Sequence, residues 1–420
     1  MQTQEAQKKA NVILVACVLF NLSIGVLYAW SVIKSRLTLP VDGGGWGWTA
    51  SQAGLPYTIA IVCWAIGLLI GGRVQDKIGP RWVVTAGGIM VGIGLILSGL
   101  VGNNVAGVNL CYGVIMGLGI GFGYGCVTPP ALKWFHPSKK GLVSGLIVGG
   151  FGLAAAFYAP ITNMLLDSFG IEQTMIVLGV SVVVITTPIA QLIKNPPAGY
   201  APPVPEKMKQ AAAKSASDAD FTWREMVKTK RFYLMCFMFL FSASVGLMVI
   251  GNMTKIATSQ VGITDTAFLA ILVSFLAVTN SSGRVLGGLM SDKIGRLNAL
   301  FVVFILQAFN MVGFAYYQSL LLLIFGIIVV GFSYGTLMSV FPSLTADLYG
   351  LKNYGANYGV VYLFWGFAGV VAPVIADYLF DIYGNFNIAY RICAGMMFAM
   401  VAINYLLKLD IASLKKTEQA

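Results

Sequence analysis

The chain has 420 residues, of which 57% are hydrophobic and only 10% charged, and its mean hydropathy is +0.80. Soluble domains carry about 25% charged residues, so a soluble fold is excluded and the chain belongs in lipid. The formal net charge of +11 has to be read by its distribution along the chain before it says anything about partners.

The first nine residues, MQTQEAQKK, lead straight into an apolar stretch that is too long for a signal-peptide core and ends in aromatics. It reads as an anchored helix. A spanning helix needs ~20 apolar residues, and twelve such stretches follow one another. They cover 11–33, 51–71, 82–102, 107–129, 142–164, 173–193, 232–253, 267–289, 298–316, 319–341, 356–380 and 388–407. The 49 glycines suit helices that must approach closely in lipid. Residues 195–230 interrupt the pattern with Pro, Lys and Ala and read as a linker that is extended at its start. The sequence therefore predicts an all-α membrane protein with an N-terminal six-helix half (1–194), a cytoplasmic linker (195–230) and a C-terminal six-helix half (231–420).

Twelve spans put both termini on one side. With the N-terminus inside, twenty-two of the 27 Lys and Arg fall in cytoplasmic segments, and only Lys34, Arg36, Lys255 and Arg391 fall outside. The positive-inside rule then places both termini in the cytoplasm of an inner (cytoplasmic) membrane. The basic charge is thus an orientation signal, and nucleic-acid binding drops out. The six cysteines (17, 63, 111, 126, 236, 393) lie in spans, without the spacing of metal ligands or of a disulfide frame, and read as packing residues. His136 lies in a basic loop and reads as a surface histidine. No cofactor or metal site is expected.

The halves repeat. Gly72-x-x-x-Asp76-Lys77-Ile78-Gly79 recurs as Gly288-x-x-x-Asp292-Lys293-Ile294-Gly295, and Gly121-Phe122-Gly123-Tyr124-Gly125 as Gly331-Phe332-Ser333-Tyr334-Gly335. Gly141, Gly145 and Gly152 match Gly355, Gly359 and Gly366. Ala159-Pro160 matches Ala372-Pro373, and Asp167 with Gly170 matches Asp381 with Gly384. The offsets are 216, 210, 214, 213 and 214. Five matches in order argue for duplication, and an even number of spans per copy makes the repeats parallel.

The Gly-x-x-x-Asp-Lys-x-Gly loops resemble the loop motif of the major facilitator superfamily. That resemblance implies two parallel six-helix pseudo-repeats, alternating access, and a substrate site between the halves near mid-bilayer. In these loops Gly72, Asp76, Lys77, Gly79 and their mates Gly288, Asp292, Lys293, Gly295 read as structural. The Asp can cap a neighbouring helix start while the cations stay in the polar interface. Gly25-Val26-Leu27-Tyr28-Ala29-Trp30-Ser31 is similar to the oxalate/formate antiporter family. So are Tyr124-Gly125 with Lys133-Trp134-Phe135, Asn195-Pro196-Pro197-Ala198-Gly199-Tyr200 and Phe221-Thr222-Trp223-Arg224-Glu225-Met226. Lys139-Lys140-Gly141-Leu142-Val143-Ser144-Gly145 resembles both that family and the monocarboxylate transporters. Asp42-Gly43-Gly44-Gly45-Trp46-Gly47-Trp48 echoes a monocarboxylate-transporter motif that opens span 1 there but follows span 1 here.

Within this frame Arg284 is the prime candidate for a substrate contact. It lies inside an apolar span, eight residues before Asp292, about 12 Å at 1.5 Å per residue. That is a long way to snorkel. Its repeat mate is Leu68, so the fold itself does not require a cation there. Arg holds a carboxylate through two parallel hydrogen bonds, and both related families place a carboxylate-binding Arg in this span. Asn280, one turn earlier on the same face, either holds the guanidinium, donates to substrate, or makes a helix–helix hydrogen bond. Animal monocarboxylate transporters carry an Asp at that place, implicated in proton handling, and Asn cannot titrate. Tyr124 and Tyr334 are repeat mates in spans 4 and 10, and Tyr28 stands in span 1. Each offers either a donor and an aromatic wall or simple packing. Aligning Asn357-Tyr358-Gly359 with the oxalate carriers puts Trp365 where they have a second cation, a Lys, and Tyr362 at an aromatic of their site. One cation in place of two favours a monocarboxylate, although Tyr362 and Trp365 can also merely pack.

The resulting expectation is a transporter of small monocarboxylate anions such as L-lactate or pyruvate, with a proton as co-substrate, acting as a monomer in the lipid bilayer. An organic-anion exchanger of the oxalate/formate type is the alternative. Acidic residues lie only near span ends (Asp347, Asp377, Asp381), so the proton has no visible carrier in the protein and rides on substrate or on a water near Arg284. An enzyme would need nucleophiles, paired carboxylates or metal ligands converging in the spans, and the sequence has none of these patterns. A channel would need a ring of repeated filter groups. A sensor would carry an enlarged soluble domain.

Overall fold

The structure, a computed structural model, describes residues 2–197, 199–202 and 220–417. The linker cations Lys207, Lys209 and Lys214, and Ala198 of the linker motif, lie outside the described residues. Long helices and turns make up what is described. With no water in a bilayer core, a helix is the single-segment way to satisfy every backbone N–H and C=O.

Twelve long helices follow in order: α1 Glu5–Leu37, α2 Ala50–Ile78, α3 Pro80–Val101, α4 Val105–Trp134, α5 (140–169), α6 (171–192), α7 Lys230–Val261, α8 Thr266–Ile294, α9 Arg296–Phe314, α10 Leu320–Tyr349, α11 Tyr354–Tyr383 and α12 Asn387–Thr417. Among the described residues eleven helical segments are long and apolar enough to cross a membrane, and one of them, Pro137–Leu192, holds both α5 and α6. The break is a single residue, Gly170, at φ 76° and ψ −176°. Both helices thus run beyond the expected spans 142–164 and 173–193 until they meet at this residue. Two further irregularities fall inside spans. A 3₁₀ stretch covers Gly25–Ala29 in α1 and carries Tyr28, and a π-helical stretch covers Asn109–Met116 in α4.

The repeated loop glycines have a local cause. Gly79 and Gly295 sit at φ 86° and 91° and join α2 to α3 and α8 to α9 as one-residue reversals. A side chain at that φ is strained, so Gly is the residue that fits.

The chain falls into two compact units. The first comprises Met1–Pro137, Gly150–Asp220 and Gly350–Leu363; the second comprises Ser138–Gly149, Phe221–Tyr349 and Phe364–Ala420. Each unit thus takes one short segment from the other sequence half, and in each the loop aspartate grips that segment. In the first unit the Asp76 carboxylate accepts from the backbone N–H groups of Gly355 at 3.3 Å and Ala356 at 2.9 Å, in the first turn of α11. In the second, Asp292 accepts from Gly141 and Leu142, both at 2.8 Å, in the first turn of α5. An anion at a helix start satisfies amides that have no intrahelical partner and complements the helix dipole. The second grip is reinforced. Arg296 pairs with Asp292 at 2.5 Å and with Asp347 at 3.0 Å, and Lys140 pairs with Asp347 at 2.8 Å. Lys77 and Lys293, the cations of the motif itself, are exposed. Arg296 and Asp347 make these ion pairs; sequence reading gave Arg296 no role and noted Asp347 only as an acidic residue near a span end.

The described ends of the linker are also tied down. Tyr200 packs on Trp134 with ring centroids 4.9 Å apart and donates to the Trp134 carbonyl at 3.2 Å. Phe221 N–H donates to the Tyr349 carbonyl at 3.1 Å, and Thr222 and Glu225 form a capping box over the turn Trp223–Met226. The Thr222 amide and hydroxyl hold the Glu225 carboxyl below the usual carboxylate value. The two quoted linker motifs are thus the points at which the linker meets the helices.

Asp292→Ala strips two helix-start amides of their acceptor and leaves Arg296, whose side chain is 10% exposed, with one carboxylate fewer. The expected loss is about 3–5 kcal/mol, against about 1–3 kcal/mol for Asp76→Ala, which removes caps alone. Thermal unfolding in detergent should therefore rank wild type above Asp76→Ala and that above Asp292→Ala. Equal losses would show that the ion pairs add nothing.

Candidate functional site

In the second unit the site is built by helix backbones that come unusually close. A methyl added at Gly335 of α10 would collide with the Asn280 carbonyl and lie 2.8 Å from the Arg284 nitrogen. One added at Gly331 would lie 2.9 Å from the Asn280 nitrogen, and one at Gly145 of α5 would collide with the Arg284 carbonyl. Bare glycines on α5 and α10 thus let both helices press against α8 on either side of its Asn280–Arg284 turn. This is the small-residue packing by which helices associate in lipid.

That pressure encloses the cation. Arg284 is 3% exposed. Its Nε donates to Asn280 Oδ1 at 3.2 Å and its Nη1 to the Val148 carbonyl at 2.5 Å. Both acceptors are neutral. They orient the guanidinium without cancelling its charge, and a buried charge is tolerated only when partnered and hydrogen-bonded. Of the readings open for Asn280, the structure shows it accepting from Arg284 one turn away. Val148 contributes only a backbone oxygen.

Tyr334 and Trp365, both 5% exposed, meet in the same unit: the Trp365 indole N–H donates to the Tyr334 hydroxyl at 2.8 Å. Gly246 of α7 makes room for the Tyr334 ring, since a methyl there would lie 2.9 Å from its Cγ.

The remaining candidates lie in the first unit and form an aromatic group. Tyr124 is 5.2 Å from Phe151 and 5.8 Å from Tyr362 between ring centroids, and Trp64 lies 5.0 Å from both Tyr124 and Phe151. Tyr28, half-buried, meets Phe151 edge-on at 5.4 Å. These spacings suit edge-to-face and offset aromatic pairs.

Trp64, Phe151 and Val148 were missed by sequence reading, yet the repeat offsets point to them. Subtracting 216 from 280 gives 64, and subtracting 214 from 365 and 362 gives 151 and 148. Where the second unit has Asn280 and Arg284, the first has Trp64 and Leu68. Where the second has Trp365 against Tyr334, the first has Phe151 against Tyr124. The same scaffold is apolar in one copy and cationic in the other. Among the described residues no three His, Cys, Asp or Glu side chains come together as metal ligands.

The profile of the Major Facilitator Superfamily matches residues 12–327. The chain belongs to that superfamily. Its fold is that of solved members: the fucose:proton symporter of E. coli superposes with a TM-score of 0.70 over 94% of this chain and 98% of that one, at 14% identity. YhjX of Escherichia coli, described as an uncharacterized MFS-type transporter, is 29% identical over 88% of each chain. The oxalate:formate antiporter of Oxalobacter formigenes is 28% identical over 93% of this chain and 89% of its own. Monocarboxylate transporter 12 of Rattus norvegicus is 24% identical over 80% of this chain and 73% of its own. The protein is a multi-pass membrane transporter of the secondary type, not an enzyme.

Gly335→Ala forces a methyl into the α8 backbone at Asn280 and should cost about 1–3 kcal/mol of stability by overpacking. Gly395→Ala, where an added methyl meets nothing within 4 Å, should leave stability unchanged or raise it. A melting curve of each in detergent checks the pair, and equal behaviour would contradict the close-approach account.

Proposed function

We propose that the protein carries small monocarboxylates such as L-lactate or pyruvate across the inner membrane, together with a proton. The observation that carries the reading is the buried Arg284 guanidinium, oriented by neutral acceptors. A carboxylate docking on it through two parallel hydrogen bonds would match its geometry and neutralise its charge. Asn280 then acts as a positioning residue for the guanidinium. Tyr334 offers a phenol to the anion and Trp365 an apolar wall to its short carbon chain. Tyr28, Tyr124 and Tyr362, in the first unit, keep the aromatic roles read from the sequence. Binding brings an anion to the buried Arg284 cation, which makes the loaded carrier easier to turn over than the empty one.

Kinship with both an oxalate:formate antiporter and monocarboxylate transporters leaves the number of carboxylates to the site. The oxalate carriers' second cation is replaced here by Trp365, whose indole is bonded to Tyr334. This supports one carboxylate over two. With Asn at 280, the proton moves on the substrate or on a water beside Arg284. The distribution of cations supports both termini in the cytoplasm, and the chain is taken to act as a monomer.

The test is uptake of labelled L-lactate into liposomes, with and without an inward proton gradient. Wild type should accumulate lactate down the proton gradient, and Arg284→Gln should lose roughly tenfold or more of the rate, with Arg284→Lys in between because an ammonium lacks the planar fork. Unimpaired uptake by Arg284→Gln would sink the assignment. Uptake that ignores the gradient but requires a trapped internal anion would favour the exchanger.

A further inference from the structure

We propose that the second unit holds a structural water between α7, α9, α10 and α12, at the inner end of a thread of polar side chains that begins at the α9–α10 loop. The cavity has about 210 Å³ of empty space, and its lining includes Ser242, Gly246, Gln307, Ser333, Tyr334 and Met397. Much of that space is thin, which leaves room for about one water molecule.

Two observations point to an occupant. Gln307 and Ser333 are 3% and 4% exposed, and Gln307 Nε2 and Ser333 Oγ have no hydrogen-bond partner in the protein. A buried donor without an acceptor is costly, and two on the wall of one cavity are the signature of a shared ligand. Ser242, 3% exposed, already donates its hydroxyl hydrogen to the Met238 carbonyl at 2.5 Å, which leaves its oxygen able to accept. One water accepting from Gln307 and exchanging hydrogen bonds with Ser333 and Ser242 would have three partners, the usual number for a buried water.

The thread behind Gln307 fixes how its amide is turned. Tyr317, half-buried in the α9–α10 loop, donates its hydroxyl to Asn310 Oδ1 at 3.2 Å. Asn310 Nδ2 donates to Gln307 Oε1 at 3.4 Å and to the Gly326 carbonyl at 3.1 Å. Burial pushes the Tyr317 phenol up from its ordinary value, so it stays protonated as the first donor. Each link donates inward, so Gln307 presents Nε2 rather than Oε1 to the cavity. The chain of donors therefore ends on water, on the wall formed by Gly246 and Tyr334. A superfamily member without Gln307 and Ser333 at these places would have no reason to hydrate this position.

Two measurements on the full-length protein decide it. In the first, wild type in H₂¹⁸O is labelled by radiolytic hydroxyl radicals. A bound water delivers label to the side chain beside it, so Met397 (1% exposed) should be modified about threefold or more faster than Met311 of α9 (0% exposed). In the second, melting temperatures are compared for Gln307→Leu, Ser333→Ala and the double variant. A shared water predicts that each single variant melts lower and that the double loses less than the sum, because both remove the same bridge. If the site is dry, Ser333→Ala removes an unsatisfied buried hydroxyl and should melt at the same temperature or higher, and the double variant should lose no less than the sum, since Gln307→Leu then costs only the acceptor of Asn310. Labelling of Met397 at the rate of Met311 overturns the proposal, as does a Ser333→Ala variant no less stable than wild type. If a variant fails to fold, the labelling of wild type decides alone.

Discussion

The constraint on which the rest of the second unit depends is the approach of helix backbones to α8. Gly145, Gly331 and Gly335 present no side chain to the Asn280–Arg284 turn. Add methyl groups and α5 and α10 must back away, and the Val148 carbonyl goes with them. That carbonyl is one of the neutral acceptors that orient the Arg284 guanidinium. The charge is thus held by packing: the residues that decide where the cation sits are the ones with nothing to contribute chemically. In lipid, where apolar side chains gain nothing by meeting one another, close packing is one of the few forces available to fix such a geometry.

Duplication explains how the site came to be one-sided. The two copies share their contact geometry down to single glycines. Gly355 and Gly72 would collide through added methyls, as Gly141 and Gly288 would. Asp76 and Asp292 each cap the helix start beside them. On that common frame the first unit places Trp64 and Leu68, and the second Asn280 and Arg284. A cation inside a span costs at least a few kcal/mol, so it stands in one copy only. Among the described residues, the ion-pair network of Arg296, Asp292, Asp347 and Lys140 lies in the second unit.

Much of this was legible beforehand, for identifiable reasons. Spans are visible because hydropathy over ~20 residues is a strong signal, and the repeat is visible because turn and contact glycines tolerate no substitute. Arg284 stood out because a charge in an apolar run has few innocent explanations. What could not be read depends on backbone atoms and on distant partners. Val148 is visible to Arg284 only through its carbonyl, which every residue has. The expected spans 142–164 and 173–193 stopped short of each other, because hydropathy falls around Asp167 and Glu172; in fact a single residue at positive φ, Gly170, joins two helices that run on beyond those bounds. Arg296 and Asp347 are 51 residues apart and come together only in the folded unit. Trp64 and Phe151, by contrast, were readable: the offsets that pair the glycines also pair them with Asn280 and Trp365.

Equilibrium binding tests the central claim most directly, because it isolates the Arg284 contact from turnover, gradients and counter-ions. Purified wild type and Arg284→Gln would be titrated calorimetrically with L-lactate and, separately, with oxalate. The account predicts that wild type binds lactate more tightly than oxalate and that the variant binds neither measurably. Unchanged lactate binding by Arg284→Gln, in a variant that melts like wild type, would contradict it.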